Sequence, residues 1–180
     1  MSLVAQKITK LDAANRQIHV AIQMSFDGGD PVAVHTLACA AREICEKHCR
    51  MAGVSRFFDQ IAKTYPDNSE TEIFCVLNSA RNFFKHPDAA GNLDAEIELS
   101  DRDNKLMLFL ATYDCSALLA ERTPVDVQAY NVWFMATEPD FDGDCAQGLE
   151  EHYPGIASAS PDAQRAIGKQ LLSDAVAGKL

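Results

Sequence analysis

Apolar residues recur at three- and four-residue spacing through most of the chain, the period of amphipathic helices. Leu11, Ala14, Ile18, Ala21, Ile22 and Phe26 form the first stripe. Thr9 and Asp12 precede it at capping-box spacing, and Gly28-Gly29 stops it. Asp30-Pro31 opens a second helix as N-cap and N1 proline. Its inward residues are Val34, Leu37, Ala38, Ala41, Ile44 and Cys45, and it runs to about Met51. Two glycines between two long helices predict an antiparallel hairpin. Ser55 is placed to cap a short helix carrying Phe57, Phe58 and Ile61, closed by Tyr65-Pro66. Ser69 and Glu72 then cap a helix that must stop before Pro87, because the residue preceding a proline is pushed out of the helical region. Ile73, Val76, Leu77, Ala80, Phe83 and Phe84 are expected to face inward along it. Asn78, Arg81, Asn82, Lys85 and His86 fall on the other side, within an arc of roughly 140°.

From Leu93 to Leu99 the period changes to two: Leu93, Ala95, Ile97 and Leu99 alternate with acidic residues. A lone strand leaves its backbone groups unpaired. Two readings stay open: an extended segment lying on the helices, or a strand pairing with its own copy in a dimer. Ser100-Asp101 starts a helix carrying Leu106, Met107, Leu110, Ala111, Ala117 and Leu118, and Thr123-Pro124 with Asp126 starts another carrying Val127, Tyr130, Trp133 and Phe134. After Thr137-Glu138-Pro139 the composition turns acidic and irregular, until Ser160-Pro161 caps a last amphipathic helix through Ile167, Leu171, Leu172 and Val176. The expected fold is all-α: an antiparallel helix bundle of about five to six helices with one short extended segment. The core is placed at residues 1–137, and residues 138–180 form an acidic loop and a C-terminal helix packed on or trailing it.

Composition narrows the function classes. The chain has 180 residues, 47% of them apolar, enough for a folded core without staples. Its 26 acids against 16 bases give a net charge of −10, which speaks against DNA and anionic membranes as partners. No apolar run has the length of a membrane span. The N-terminus MSLVAQKITKLD has no apolar signal core, so a cytoplasmic location is expected, with the six cysteines reduced.

The segment Arg81-Asn82-Phe83-Phe84-Lys85-His86 carries the sharpest chemical signal. It resembles the arginine–x4-6–histidine motif of HEPN domains, all-helical proteins of bacterial toxin and defence systems. Asn82 matches the polar residue that follows the arginine in that family. The resemblance implies a homodimer whose two motifs line one cleft, and metal-independent endoribonuclease activity without a cofactor. His86 would be the general base or acid, and Arg81 would stabilise phosphate charge. Asn82 would position the histidine or the phosphate, with Asn78 and Lys85 supporting. The partners so implied are RNA or a nucleotide, and an antitoxin or other protein. Phe74 and Cys75, apolar on or beside the polar face, also suggest a dimer. Arg42 to His48 has the same spacing, but Glu43 follows that arginine and the pair lies mid-helix. DPVAVHTLACAA and ARNFFKH also resemble uncharacterised bacterial helical proteins. The alternative function is a non-enzymatic helical dimer that binds a protein or a ligand.

Two further constellations could hold metal. Asp140, Asp142, Asp144 and Glu151 stand at positions 1, 3, 5 and 12 of a calcium-loop pattern, but Cys145 replaces its turn glycine. Cys45, His48 and Cys49 share one helix face, yet no second pair of ligands completes a zinc site. Buried thiols are the plainer expectation, and His35 reads as a satisfied interface histidine.

Overall fold

Side-chain caps fix most of the helix starts. A computed structural model describes residues 5–88, 93–138 and 144–179, with side chains at all of them except 144–146. The described residues hold eight α-helices: α1 (Lys10–Phe26), α2 (Pro31–Ala52), α3 (Phe57–Thr64), α4 (Glu70–Lys85), α5 (Asp101–Leu119), α6 (Val125–Thr137), α7 (Asp144–His152) and α8 (Pro161–Val176). Reciprocal capping boxes start α1, α4 and α5. Thr9, Ser69 and Ser100 accept from the backbone three residues on, and Asp12, Glu72 and Asp103 reach back to the cap N–H. The Asp30 and Ser160 side chains cap α2 and α8, each with proline in the first turn. Helix α3 starts one residue later than Ser55 would set it. The Asp59 carboxylate accepts from the Arg56 backbone N–H at 2.9 Å, which makes Arg56 the boundary.

The all-α class holds, but eight helices exceed the expected five to six. The short helix α3 is expected from Phe57, Phe58 and Ile61, whereas α7, of nine residues, falls in the stretch read as irregular. No strand occurs among the described residues, and 95–100 has no regular secondary structure. Leu93 is 81% exposed and Ile97 36% exposed, so alternation alone did not bury the segment. No described helix is long and apolar enough to cross a membrane.

Helices α2 and α5 form the centre, and α1 packs along them. On α5 every residue from Met107 to Thr112 is buried. Such a helix has no polar face, so the stripe read from its sequence omitted Leu108 and Phe109. Phe109 stacks on Phe134 of α6 with ring centres 4.1 Å apart. Phe26 at the end of α1 meets Trp133 of α6 edge-on at 4.9 Å. Leu149 of α7, Ile156 and Leu171 of α8 belong to the same buried cluster. Helix α4 is peripheral by contrast. It touches α2, and only Ile73 and Ala80 on it are buried. Val76, expected inside, is 74% exposed, and Phe83 and Phe84 are half-buried. Helix α2, with Phe58 of α3 stacked on Phe74, covers too narrow a strip for the whole apolar stripe.

Gly168 of α8 sits against the Phe26 ring, and a Cβ there would fall 2.7 Å from Phe26 Cζ. Tyr130 and Trp133 hold that ring from the other side, so it has little room to retreat. Gly168→Ala is expected to destabilise the fold by about 1–3 kcal/mol, the usual cost of overpacking. Urea unfolding checks this, and an unchanged midpoint refutes the tight contact.

Candidate functional site

The α4 site is built on α2 by polar ties. Arg42 of α2 is 3% exposed. Its Nη1 donates to Glu46 Oε2 at 3.2 Å, and its Nη2 donates to Asn78 Oδ1 of α4. Glu46 also accepts from Arg56 Nη1 at 3.0 Å, and Arg56 is paired with Asp59. Buried charges persist only when paired and hydrogen-bonded. This chain of pairs joins α2, α3 and α4, and it commits Asn78 to Arg42.

One turn along, Arg81 pairs with Glu43 of α2. Its Nη2 lies 2.8 Å from Glu43 Oε2, its Nε contacts the other carboxylate oxygen, and its Nη1 donates to Asn82 Oδ1 at 3.0 Å. Arg81, Lys85 and Phe84 line a groove of about 360 Å³, with Thr36, Cys39, Ala40 and Glu43 on the α2 side. His86 is not among its walls. The residue caps α4 with extended backbone (φ −119°, ψ 106°), as the following proline requires. Its N–H donates to Asn82 O at 2.9 Å, and its exposed imidazole has no partner among the described residues. The sequence-predicted residues are therefore neighbours on one helix end. Asn78 and Asn82 serve arginines, Arg81 serves Glu43, and Lys85 and His86 face solvent.

The other constellations separate. Asp140 and Asp142 lie outside the described residues, as does the side chain of Asp144. Glu151 is exposed on α7. His48 Nδ1 lies 2.8 Å from its own helix's Ile44 carbonyl. Burial pushes the Cys39 thiol up to about 11 and the Cys49 thiol up to about 12. Cys45 is held protonated by its hydrogen bond with Cys115 and by burial. A protonated thiol is neither nucleophile nor metal ligand. Among the described residues no group of three His, Cys, Asp or Glu side chains could hold a metal ion.

The His19 pairing escaped sequence reading, and His35, expected to be a satisfied interface histidine, is paired through one ring nitrogen only. His19 Nδ1 lies 2.7 Å from Asp126 Oδ2, a histidine oriented by a carboxylate 107 residues away. His35 is 2% exposed, with Nδ1 2.9 Å from Asn104 Oδ1 and no partner for Nε2. Asn104 Nδ2 donates to Pro31 O, so its Oδ1 is the acceptor and His35 carries its proton on Nδ1. Burial lowers the His35 pKa, which keeps this imidazole neutral.

These features define an all-helical protein with a peripheral, partly cationic groove. No family model, no curated protein and no solved structure matches the chain.

Asp114 of α5 anchors α3 by accepting from the Phe57 N–H at 2.9 Å. Burial raises its pKa to about 6, against an ordinary carboxyl near 3.8. The folded state therefore holds a proton that the unfolded chain has released, and stability falls as pH rises from about 4 to about 6. Asp114→Asn keeps the acceptor and removes the titration. It is expected to match the parent at pH near 4 and to exceed it above pH 7 by about 1–3 kcal/mol. Equal stability of the two at both pH values, in urea titrations, refutes this.

Proposed function

We propose that the chain is a non-enzymatic helical binding module, working as a pair of copies, and that the end of α4 is a contact surface. The observation that supports this is how the motif's polar groups are engaged. Glu43 and Asn82 hold the Arg81 guanidinium, while His86 lies off the groove with no described residue orienting it. A general base must be aimed, and usually a second group aims it. Lys85 and His86 are exposed at the end of α4, and Cys75 and Val76 are exposed nearer the middle of the same helix, which leaves polar and apolar surface for contact with another chain.

A second reading keeps the HEPN-like ribonuclease. The specific support is Val76, left 74% exposed on the same helix. A second copy seated on that helix would place another Arg81–His86 pair nearby. An RNA phosphate could then displace Glu43, because a part-exposed ion pair holds only about 1 kcal/mol or less. The two readings separate when the purified full chain is incubated with RNA and a chelator. Intact RNA is the expected result. Cleavage that persists with chelator and disappears in His86→Ala reverses the order of the two readings.

A further inference from the structure

A second cavity, of about 450 Å³, lies between the first turns of α5 and α8 and the end of α6. Lys105, Arg102 and Arg165 line it, with Glu138 and Asp101 as its acids. The chain as a whole has 26 acids to 16 bases. Three cations to two carboxylates in one cavity inverts that balance.

The inner wall is built from fixed groups. The Lys105 side chain is only 17% exposed. Its Nζ lies 3.1 Å from Gln164 Oε1 and 5.1 Å from the centre of the Trp133 ring. Trp133 is locked by donating from Nε1 to Gln164 O at 2.7 Å, and Gln164 Nε2 donates to Ile156 O at 3.0 Å. A lysine held this way keeps its ammonium at the cavity wall, where a freely swinging surface lysine would not.

The cations are under-compensated. Arg165 has its own acids, Asp101 at 2.8 Å and Asp162. Among the described residues, Lys105 and Arg102 share one. Glu138 approaches Lys105 at 3.4 Å and Arg102 at 3.6 Å. Both separations exceed the roughly 2.7–2.9 Å of a formed charge-assisted hydrogen bond. One carboxylate thus serves as the ion-pair partner of two cations, and a second oxyanion would complete the set. The volume suits a small molecule, since ligand cavities fall at about 300–1,000 Å³.

We propose that this cavity binds a small organic molecule through an oxyanion, a carboxylate or a phosphate, held by Lys105 and Arg102 beside the Trp133 indole. The assignment goes beyond the reading of α4 and does not depend on it.

Trp133 is the chain's one tryptophan, so its fluorescence reports on this cavity directly. The full chain is titrated with inorganic phosphate and, separately, with succinate, with chloride holding ionic strength constant. A saturable fluorescence change is expected with at least one probe, weakened about tenfold or more in Arg102→Gln. Arg102 is 74% exposed, so its removal leaves the fold in place. Lys63→Gln, on the exposed side of α3, is expected to leave the titration unchanged. A response to phosphate alone assigns a phosphate-bearing ligand, and a response to succinate alone assigns a carboxylate. No saturable change with either probe up to about 20 mM overturns the proposal. So does a change that Arg102→Gln leaves unaltered.

Discussion

The rest of the molecule depends on the packing of α2 against α5. Along this seam α5 is buried through six consecutive residues, Met107 to Thr112, so it cannot be stable without cover on several sides. Helices α1 and α6 supply that cover with apolar side chains, and α8 extends it through Trp133 and Phe26. Helix α2 plays a double part. One face gives Ala38, Ala41 and Cys45 to the apolar seam, and another carries Arg42 and Glu46 into contact with α3 and α4. The protein therefore has two kinds of attachment. Area removed from water holds α1, α5, α6 and α8, while α3 and α4 combine apolar contacts, such as Phe58 stacked on Phe74, with paired charges to α2. A buried ion pair adds little net stability, yet losing one partner of it costs roughly 3–5 kcal/mol. The polar ties thus fix where α3 and α4 sit more than they strengthen the fold.

That division explains what could be read from the sequence. Caps are local, so Thr9-Asp12, Asp30-Pro31, Ser69-Glu72, Ser100-Asp101 and Ser160-Pro161 marked helix starts correctly. Amphipathic α1 and α2 showed their inward residues for the same reason. Helix α5 did not, because burial all round erases the contrast between faces, and Leu108 and Phe109 escaped the stripe. Helix α4 misled in the opposite direction. Its local pattern was the sharpest in the chain, but a pattern says which face is apolar and not whether anything covers it. Val76 is exposed because α2, and Phe58 of α3 on Phe74, cover other parts of that helix.

The candidate site was legible as residue types and illegible as partnerships. Arg81, Asn82, Lys85 and His86 do gather at one helix end, which follows from their spacing alone. What Arg81 does there depends on Glu43, 38 residues earlier, and what Asn78 does depends on Arg42, 36 residues earlier. No spacing rule anticipates such contacts. The same holds for His19 and Asp126, and for Lys105 and Gln164, 59 residues apart.

In a chain with ten more acids than bases, what matters about a cation is how completely its neighbours neutralise it. Arg42 and Arg56 are buried among acceptors, and Arg81 is held by both oxygens of one carboxylate. Each of these groups would have to give up a formed contact to bind anything else. Among the described residues Lys105 and Arg102 share a single carboxylate, at 3.4 and 3.6 Å, and Gln164 keeps the lysine in place without adding charge. A visiting anion gains most where the protein's own acids have done least, because it then displaces water rather than an existing partner. By that argument the motif most visible in the sequence carries an arginine that is already engaged. The more available cations lie where residues from three helices meet, a place that no single stretch of the chain reveals.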